Sequence, residues 1–443
     1  PPTSTSKFPL PAPSTIPSSP SPHIPPLPNA DLIALLSGIS LSGQPDNATL
    51  QRLRARGLIN KGNMCFVNTV LQLLVNCPPF WKQFRDLGQL MGQLGHRNSQ
   101  QAGGGTTVLV DATVRLLDEF VEEKPHPTLQ TLQLVEKGKA REDEKEKKEA
   151  DDTDPFIPTY LYDAMKEKSQ FKNMLDGGQQ DAEEFFSVYL NALDEELFAL
   201  HTSINPHKPA YVEGLGEGSQ SGEGQTEVGK RDNIASTFKS PISRIFDGKF
   251  RTTMRMAGQP TVTSEGWRTF QLDIQPDSIH TIQGALTRIS QPQYVQVDPS
   301  GGSGPSKAFQ RVTVLIEALP PVLVLHLKRF LYDAATGSVV KIGKPVQFTP
   351  ELEIPLDIMA PAAGRPALPA RYTLYGVLYH HGRSARGGHY TVDVLHPNAH
   401  GDSGEGWLHI DDESVSTVRH EDVFGGQDNE RVDGRCAYLL FYR

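Results

Sequence analysis

The stretch GLINKGNMCFVNTVLQLL, residues 57–74, sets a single cysteine, Cys65, in the first turn of a predicted helix. Apolar residues recur after it at helical spacing, and Asn63 is a residue type that caps helix N-termini. Backbone N–H groups and the helix dipole at such a position favour a thiolate over a thiol. Because most free cysteines are small buried hydrophobes, Cys65 is a candidate nucleophile only if a base accompanies it.

A candidate base lies far downstream, in the segment GGHYTVDV at residues 387–394. His389 follows two glycines, which would let a substrate backbone approach the imidazole closely. The alternating residues after it predict a strand that would hold the ring. Other histidines are frequent in this region, but we expect most of them to be structural or exposed.

The base needs a carboxylate to orient its far nitrogen, and WLHIDD at residues 407–412 offers two. Asp411 is the preferred partner of His389, and Asp412 is the alternative. If the apolar residues before them form a strand, the two side chains point to opposite faces, so only one can meet the imidazole. Asn60 is a candidate oxyanion donor, together with the backbone N–H of Cys65.

Composition restricts the class of protein. Hydrophobic residues make up 37% of the 443 positions, enough for one large or two moderate cores. Three cysteines exclude a disulfide framework and favour a reducing compartment, so we expect the cytoplasm, with the nucleus as a second location. The formal charge of −9 argues against nucleic acid as a partner and suits a basic protein ligand.

No apolar run reaches the ~18 residues that a membrane helix needs, so no membrane role is expected. The first residues carry neither an initiator Met nor a secretory signal, and we expect the chain to be part of a longer protein.

The pattern along the chain predicts an α+β protein. Residues 1–50 form a Pro/Ser-rich arm, predicted to be disordered, that contains a short apolar segment of unknown placement. Helical periodicity dominates from 57 to 200, and period-two alternation dominates from 240 to 443. Low-complexity composition predicts flexible insertions near 136–154, 203–233 and 296–308.

Four motifs, which stand along the chain in the family's order, resemble those of the ubiquitin-specific proteases, which are papain-like cysteine deubiquitinases. GLINKGNMCFVNTVLQ resembles their cysteine box, and YHHGRSARGGHYTVDV with WLHIDDESV resembles their histidine box. GGQQDAEEFF, residues 177–186, is similar to their Gln-Gln-Asp motif, and LPPVLVLHLKRF, residues 319–330, to a strand of their palm. The resemblance covers residues 57–443, and the wording of the motifs is closest to one branch of the family.

The resemblance implies a hand-like fold, with a helical thumb at 57–200 and antiparallel β fingers and palm at 240–443. It implies Cys65 as nucleophile, His389 as general base, Asp411 as its orienting carboxylate and Asn60 as oxyanion donor. The reaction would be hydrolysis of the isopeptide or thioester-type bond after the C-terminal Gly-Gly of ubiquitin. The residues expected to contact the substrate are Gln180, Asp181, Glu184, Phe330, His381, Gly387, Gly388 and Tyr390.

The fingers depart from the family pattern. Many members hold a structural zinc there with two cysteine pairs, but residues 240–310 contain no cysteine, so the four ligands cannot be supplied. We therefore expect metal-free fingers held by Phe246, Phe250, Trp267 and Phe270. No cofactor is expected for the reaction.

The expected partners are ubiquitin and ubiquitinated proteins, and the N-terminal region is a candidate docking site for a protein cofactor. Two other functions stay open on sequence grounds. One is a ubiquitin-binding scaffold without catalysis, and the other is a protease for another ubiquitin-like modifier.

Overall fold

Two apolar cores organise the chain, one inside a helical lobe and one behind a large β-sheet. The structure, a computed structural model, describes residues 29–38, 53–94, 107–121, 154–205, 238–255, 260–297, 308–335, 337–361, 369–384, 387–399, 405–424 and 434–443. The predicted arm 1–50, apart from residues 29–38, and nearly all of the three predicted insertions lie outside these residues. None of the helices in the described ranges has both the length and the apolar character that crossing a membrane requires.

The helical lobe is built around α2, whose eleven residues are all buried. A helix that is buried on every side lies in the middle of a core rather than on its surface, and α2 packs between other helices and a strand of the large sheet. The helices of this lobe are α1 (Ala30–Ser37), α2 (Cys65–Val75), α3 (Pro78–Gln93), α4 (Val108–Asp118), α5 (Thr159–Lys166), α6 (Ala182–Ile204) and α7 (Pro241–Phe246).

The sequence left two features of this lobe undetermined. The prolines at 78 and 79 lie after the end of α2 and begin α3, because proline lacks only an N–H that the first helical turn leaves unbonded. The unplaced apolar segment forms α1, whose Leu32, Leu35 and Leu36 are buried in the helical core. This core therefore includes residues on both sides of the expected 57–200 range, since α7 also packs into it.

The large sheet has eight strands in the order β13-β12-β11-β10-β14-β6-β3, with β9 paired to β10. Its pairs are antiparallel, except that β3 runs parallel to β6, which corrects the expectation of a purely antiparallel palm. The strands are β3 (Thr269–Leu272), β6 (Leu323–Leu327), β9 (Glu351–Ile354), β10 (Ala370–His381), β11 (His389–His396), β12 (Gly406–Asp411), β13 (Ser414–Val418) and β14 (Cys436–Tyr442).

A four-stranded sheet forms the fingers, in the order β2-β1-β5-β4. At its base, the rings of Phe250, Trp267 and Phe270 lie 5.0–5.4 Å apart in one aromatic cluster. Phe246 instead packs against Phe80 and Phe186 in the helical core. The strands are β1 (Gly248–Arg255), β2 (Thr261–Trp267), β4 (Gln293–Val297) and β5 (Ala308–Ala318).

The remaining elements lie beside the large sheet. The hairpin of β7 (Phe330–Asp333) and β8 (Ser338–Lys341) follows β6 directly. Helices α8 (Ile282–Ile289) and α9 (His420–Phe424) contribute to the second core, and 3₁₀ turns occupy Ser169–Phe171 and Leu356–Ile358. The start of α2 and the start of β11 therefore face each other where the two lobes meet.

Candidate active site

Cys65, His389 and Asp411 form a connected chain of side chains between the two lobes. Cys65 is the first residue of α2, and His389 is the first residue of β11. The imidazole of His389 hydrogen-bonds the Cys65 sulfur, and its Nε2 lies 2.5 Å from Asp411 Oδ1. Because Nε2 faces the carboxylate, Nδ1 is the nitrogen left for the sulfur. The thiol, imidazole and carboxylate expected from the sequence thus occupy one site.

Asp412 has a different set of partners from Asp411. Its Oδ2 accepts a hydrogen bond from Asn60 Nδ2 at 2.8 Å, and its Oδ1 accepts one from Asn68 Nδ2 at 2.8 Å. Its backbone is left-handed, with φ of 50°, and a carboxylate oxygen of Asp412 lies within 4.8 Å of His389 and of Asp411 without a hydrogen bond to the imidazole. Of the two carboxylates left open by the sequence, the geometry therefore gives Asp411 to His389 and Asp412 to the helical lobe.

The loop that carries Asn60 is pressed against the turn after β12. A Cβ added to Gly57 would lie 2.2 Å from the carbonyl oxygen of Glu413, so only glycine allows this approach. The Leu58 N–H also donates to the Asp412 carbonyl at 2.9 Å. Asn60 Oδ1 accepts from the Met64 N–H, while its NH₂ donates to Asp412. The amide is thus oriented at both ends, and its second N–H hydrogen is the one available to an oxyanion.

The start of α2 differs in detail from the expected capping. Met64 occupies the N-cap position, and no side chain caps this helix. Asn63 instead donates from Nδ2 to the Gly177 carbonyl, which belongs to the loop before α6. The expected cap is therefore wrong, because a long-range partner competes successfully for the Asn63 side chain. Cys65 nevertheless remains in the first turn, where backbone N–H groups are not bonded within the helix.

The surroundings of His389 favour its charged form. Hydrogen bonding to Cys65 and then to Asp411 raises the pKa of His389 from 6.5 to about 9, against the opposing effect of its partial burial. The imidazole is therefore protonated at neutral pH and lies between two groups that carry or can take negative charge. At pH 7 the His389 imidazolium therefore holds a proton that it can donate to a leaving group.

A cleft of about 690 Å³ opens beside this site. Five residues expected to contact substrate line it: Gln180, Asp181, Phe330, Gly387 and Tyr390. Four further lining residues were not predicted, and they are Asn63, Gln179, Val339 and His380. Val339 belongs to β8, so the β7–β8 hairpin borders the cleft.

The histidine next to the one predicted faces this cleft. His381 pairs across the strands with His389, and its Nε2 lies 2.8 Å from the Thr391 hydroxyl. His380 pairs with Tyr390, is buried, and packs edge-on against Phe330. Burial foremost, and then the Lys341 cation, lower the pKa of His380 to about 3, so its ring is neutral. Neighbouring residues of a strand point to opposite faces, so the register of β10 on β11 decides which of the two histidines faces the cleft. The sequence alone does not give that register.

Asp181 and Glu184, the two acids of the Gln-Gln-Asp motif, differ in their surroundings. Asp181 caps α6, accepting the N–H groups of Glu183 and Glu184, and it also accepts the Tyr438 hydroxyl at 2.6 Å. Glu184 is exposed, and partial desolvation, followed by the neighbouring acids, raises its pKa. Asp181 lines the cleft while it stabilises the helix, so the structural and the binding interpretations are compatible for it.

A thiol, an imidazole and a carboxylate joined across a cleft between a helical and a β lobe are typical of papain-like cysteine hydrolases. The model of the ubiquitin carboxyl-terminal hydrolase family matches residues 56–442, and this chain belongs to that family.

The relatives support the branch indicated by the motif wording. The chain is 34% identical over 414 residues to ubiquitin carboxyl-terminal hydrolase 10-B of Xenopus laevis, an alignment that covers 88% of this chain and 48% of that protein. It is 32% identical over 423 residues to a probable ubiquitin carboxyl-terminal hydrolase 3 of Schizosaccharomyces pombe, covering 88% of this chain and 74% of that protein. The chain spans about half the length of the first of these relatives.

Solved structures support the fold. The yeast SAGA deubiquitinase module Ubp8/Sgf11/Sus1/Sgf73, bound to ubiquitin aldehyde, contains a chain that superimposes with a TM-score of 0.58 at 19% identity. The match covers 88% of this chain and 70% of that chain. At this identity the likeness establishes the α+β architecture with helical thumb and β palm and fingers, as predicted.

Proposed function

We propose that this chain is a thiol-dependent deubiquitinase that hydrolyses the isopeptide or thioester-type bond after the C-terminal Gly-Gly of ubiquitin. The observation that carries the proposal is the contact of His389 with both Cys65 and Asp411 at the edge of a cleft. Family membership and the names of the relatives support the same activity. A buried cysteine without such a partner would be inert.

The first chemical step is attack by the Cys65 sulfur on the carbonyl carbon of the terminal glycine. As the C–S bond forms, the carbonyl electrons move onto oxygen, and the second N–H of Asn60 with the Cys65 backbone N–H would stabilise that oxyanion. The His389 imidazolium then gives its proton to the lysine nitrogen as the C–N bond breaks. A water molecule, deprotonated by the now neutral His389, attacks the resulting thioester and returns Cys65 to the thiolate.

Selection of a Gly-Gly tail follows from the backbone that precedes the base. A Cβ added to Gly388 would lie 2.3 Å from His380 Nε2 and 2.6 Å from the His381 carbonyl oxygen. Gly387, at φ of 86°, lines the cleft next to it. Gly388 therefore packs against the palm without room for a side chain, and Gly387 leaves the cleft wall beside His389 open to a substrate backbone, which suits substrate residues that have no side chain. Asp181, which lines the cleft, suits the basic residues before such a tail, and Glu184 in the first turn of α6 is a second candidate.

The test is the release of a fluorescent amine from the C-terminus of ubiquitin, with wild type compared with Cys65→Ala. We expect turnover by the wild type and none by Cys65→Ala. Cys77→Ser is the matched control, because burial raises the pKa of the Cys77 thiol to about 11 and keeps it unreactive. Activity that survives Cys65→Ala, or is absent from the wild type, would contradict the proposal.

The wild-type protein and Cys65→Ala also distinguish this function from the two others that the sequence left open. A ubiquitin derivative with a thiol-reactive C-terminus should form an adduct at Cys65. Ubiquitin binding without an adduct would indicate a non-catalytic scaffold. Faster cleavage of another Gly-Gly-terminated modifier than of ubiquitin would identify a protease for that modifier.

Two further expectations belong with this proposal. The segment 1–28 is proposed to dock a protein cofactor, which deletion of residues 1–28 would test by loss of that partner without loss of ubiquitin cleavage. The low cysteine content supports a cytoplasmic or nuclear location, which imaging of the tagged chain would check.

A further inference from the structure

A side chain from the helical lobe is hydrogen-bonded to the backbone directly before the base. Gln179 Nε2 donates to the Gly388 carbonyl at 2.5 Å, and Gln179 Oε1 accepts the Gly388 N–H at 2.6 Å. The amide thus pairs with both polar groups of one residue, as a neighbouring strand would. The next residue in the chain is His389, so this two-bond clasp lies one peptide unit from the imidazole.

The thumb side of the clasp is itself anchored. Gly177, two residues before Gln179, accepts the Asn63 side chain at 2.8 Å. Asp181, two residues after it, caps α6 and accepts the Tyr438 hydroxyl. Asn63 lies two residues before Cys65. The loop that carries Gln179 is therefore tied to the segment that carries the nucleophile and to the palm.

The palm side of the clasp has no room to move away from Gln179. Gly388 lies against the buried ring of His380, since a Cβ added to Gly388 would lie 2.3 Å from His380 Nε2. At the other end of the same loop, Lys341 Nζ donates to the Gly382 carbonyl at 2.6 Å and to the His380 carbonyl at 3.1 Å. Gly382 is thus held by Lys341, and Gly388 is held by Gln179.

We propose that Gln179 is a positioning residue for His389, which sets the distance between the imidazole and the Cys65 sulfur by clasping Gly388. This inference rests on the proposed hydrolase function. Neither hydrogen bond of the clasp needs substrate, so the clasp can act on the base in the free enzyme, although Gln179 also lines the cleft. Its loss should lower kcat and leave the affinity for ubiquitin unchanged, since errors of about 1 Å in a reacting group cost about a hundredfold in rate.

Two substitutions separate this role from a general effect on folding. Gln179→Met keeps the length of the side chain and removes both hydrogen bonds. An ionised Gln179→Glu side chain can still accept the Gly388 N–H but cannot donate to the Gly388 carbonyl. The protonated form can do both, because it donates from O–H and accepts at C=O, as the amide does. Gln170→Met is the control, because Gln170 is an exposed thumb glutamine that pairs with Glu195 away from the cleft.

The assay measures kcat and KM on a ubiquitin amide substrate from pH 4.5 to 8.5, and ubiquitin affinity in a Cys65→Ala background. The range reaches close to the pKa of about 4.3 at which an ordinary glutamate takes up its proton. For Gln179→Met we expect a fall in kcat of about tenfold or more at every pH, with KM and ubiquitin affinity within twofold. For Gln179→Glu we expect activity relative to wild type to rise as the pH falls. Asp181, His380 and Tyr390, the other titratable side chains of the cleft, are unchanged in every variant, so the ratio cancels their effects.

Three results would overturn the proposal. They are an unchanged kcat in Gln179→Met, a loss of ubiquitin affinity as large as the loss of kcat/KM, and a ratio for Gln179→Glu that is flat with pH. The alkylation rate of Cys65 by iodoacetamide, read by mass spectrometry, needs no ubiquitin. A slower rate in Gln179→Met than in Gln170→Met supports the clasp even if ubiquitin is not the substrate, and equal rates contradict it.

Discussion

Asn60 Nδ2 donates to Asp412 Oδ2 at 2.8 Å, across 352 positions of sequence. The bond joins the loop before the nucleophile to the turn after Asp411, so it links the proposed oxyanion donor with the carboxylate end of the triad. Asp412 also holds Asn68 on α2, which places one carboxylate between the two asparagines of the helical lobe. The orientation of Asn60 therefore depends on a residue of the sheet.

We expect Asp412→Asn to lower kcat by about tenfold with little change in KM. The substitution replaces one carboxylate oxygen with an NH₂ group, which cannot accept the hydrogen bond that Asn60 or Asn68 donates there. Asparagine tolerates the left-handed backbone at this position, so the fold should survive. Steady-state kinetics on a ubiquitin amide substrate measure the effect, with Asp163→Asn, an exposed thumb aspartate, as control. Equal kcat values for the two variants would show that Asp412 does not act on the site.

Asn60→Ala should lower kcat by roughly two to three orders of magnitude, as loss of one oxyanion donor does in other acyl-transfer enzymes. If Asp412 acts through Asn60, adding Asp412→Asn to Asn60→Ala should cause little further loss. A double-mutant cycle measures this coupling. Fully additive losses would mean that the two residues contribute independently.

The pH dependence of isopeptide cleavage should show a basic limb near pH 9, where His389 loses the proton that the leaving lysine needs. Asp411→Asn should move this limb to lower pH, because it removes a carboxylate that favours the imidazolium. Cleavage of a ubiquitin dimer, followed across pH, measures both profiles. A limb that stays near pH 9 in Asp411→Asn would contradict the role given to Asp411.

The same pairing should appear in the free energy of unfolding. The pKa of His389 is about 9 in the folded protein, above its ordinary 6.5. The imidazolium therefore stabilises the fold fully below about pH 6.5, and this contribution is lost as the pH rises through 9. The stability difference between wild type and Asp411→Asn should accordingly shrink over that interval, as denaturant titrations at several pH values would show. A difference that grows with pH would have the wrong sign.

Arg268→Met should destabilise the protein by roughly 3–5 kcal/mol, because it removes the cation from a buried ionic cluster. The guanidinium, 8% exposed, contacts Asp194 at 2.6 Å and Asp247 at 2.7 Å where the fingers join the thumb. Arg371→Met is the matched control. Its side chain is 74% exposed beside Glu353, so its loss should cost about 1 kcal/mol or less. Denaturant unfolding of the two variants makes the comparison, and similar losses would contradict a structural role for the cluster.

Local patterns in the sequence were sufficient for the elements that carry the chemistry. The helix from Cys65 and the strand from His389 begin where periodicity and flanking glycines predicted. Contacts between residues that are distant in the sequence could not be predicted from such local patterns. Asn63 is a residue type that caps helices, yet its side chain donates to the Gly177 carbonyl. Whether His380 or His381 faces the cleft depends on the register of β10 on β11.

The sequence by itself determined the α+β class, the order of the motifs and the residue types available for a thiol, an imidazole and a carboxylate. The tertiary structure decided that Asp411 rather than Asp412 meets His389, that His380 rather than His381 lines the cleft, and that Gln179 reaches Gly388. The physical reason is the separation along the sequence over which each interaction acts. Periodicity and capping act over a few residues, whereas these choices depend on backbone register and side-chain hydrogen bonds between segments that only packing of the two lobes brings together.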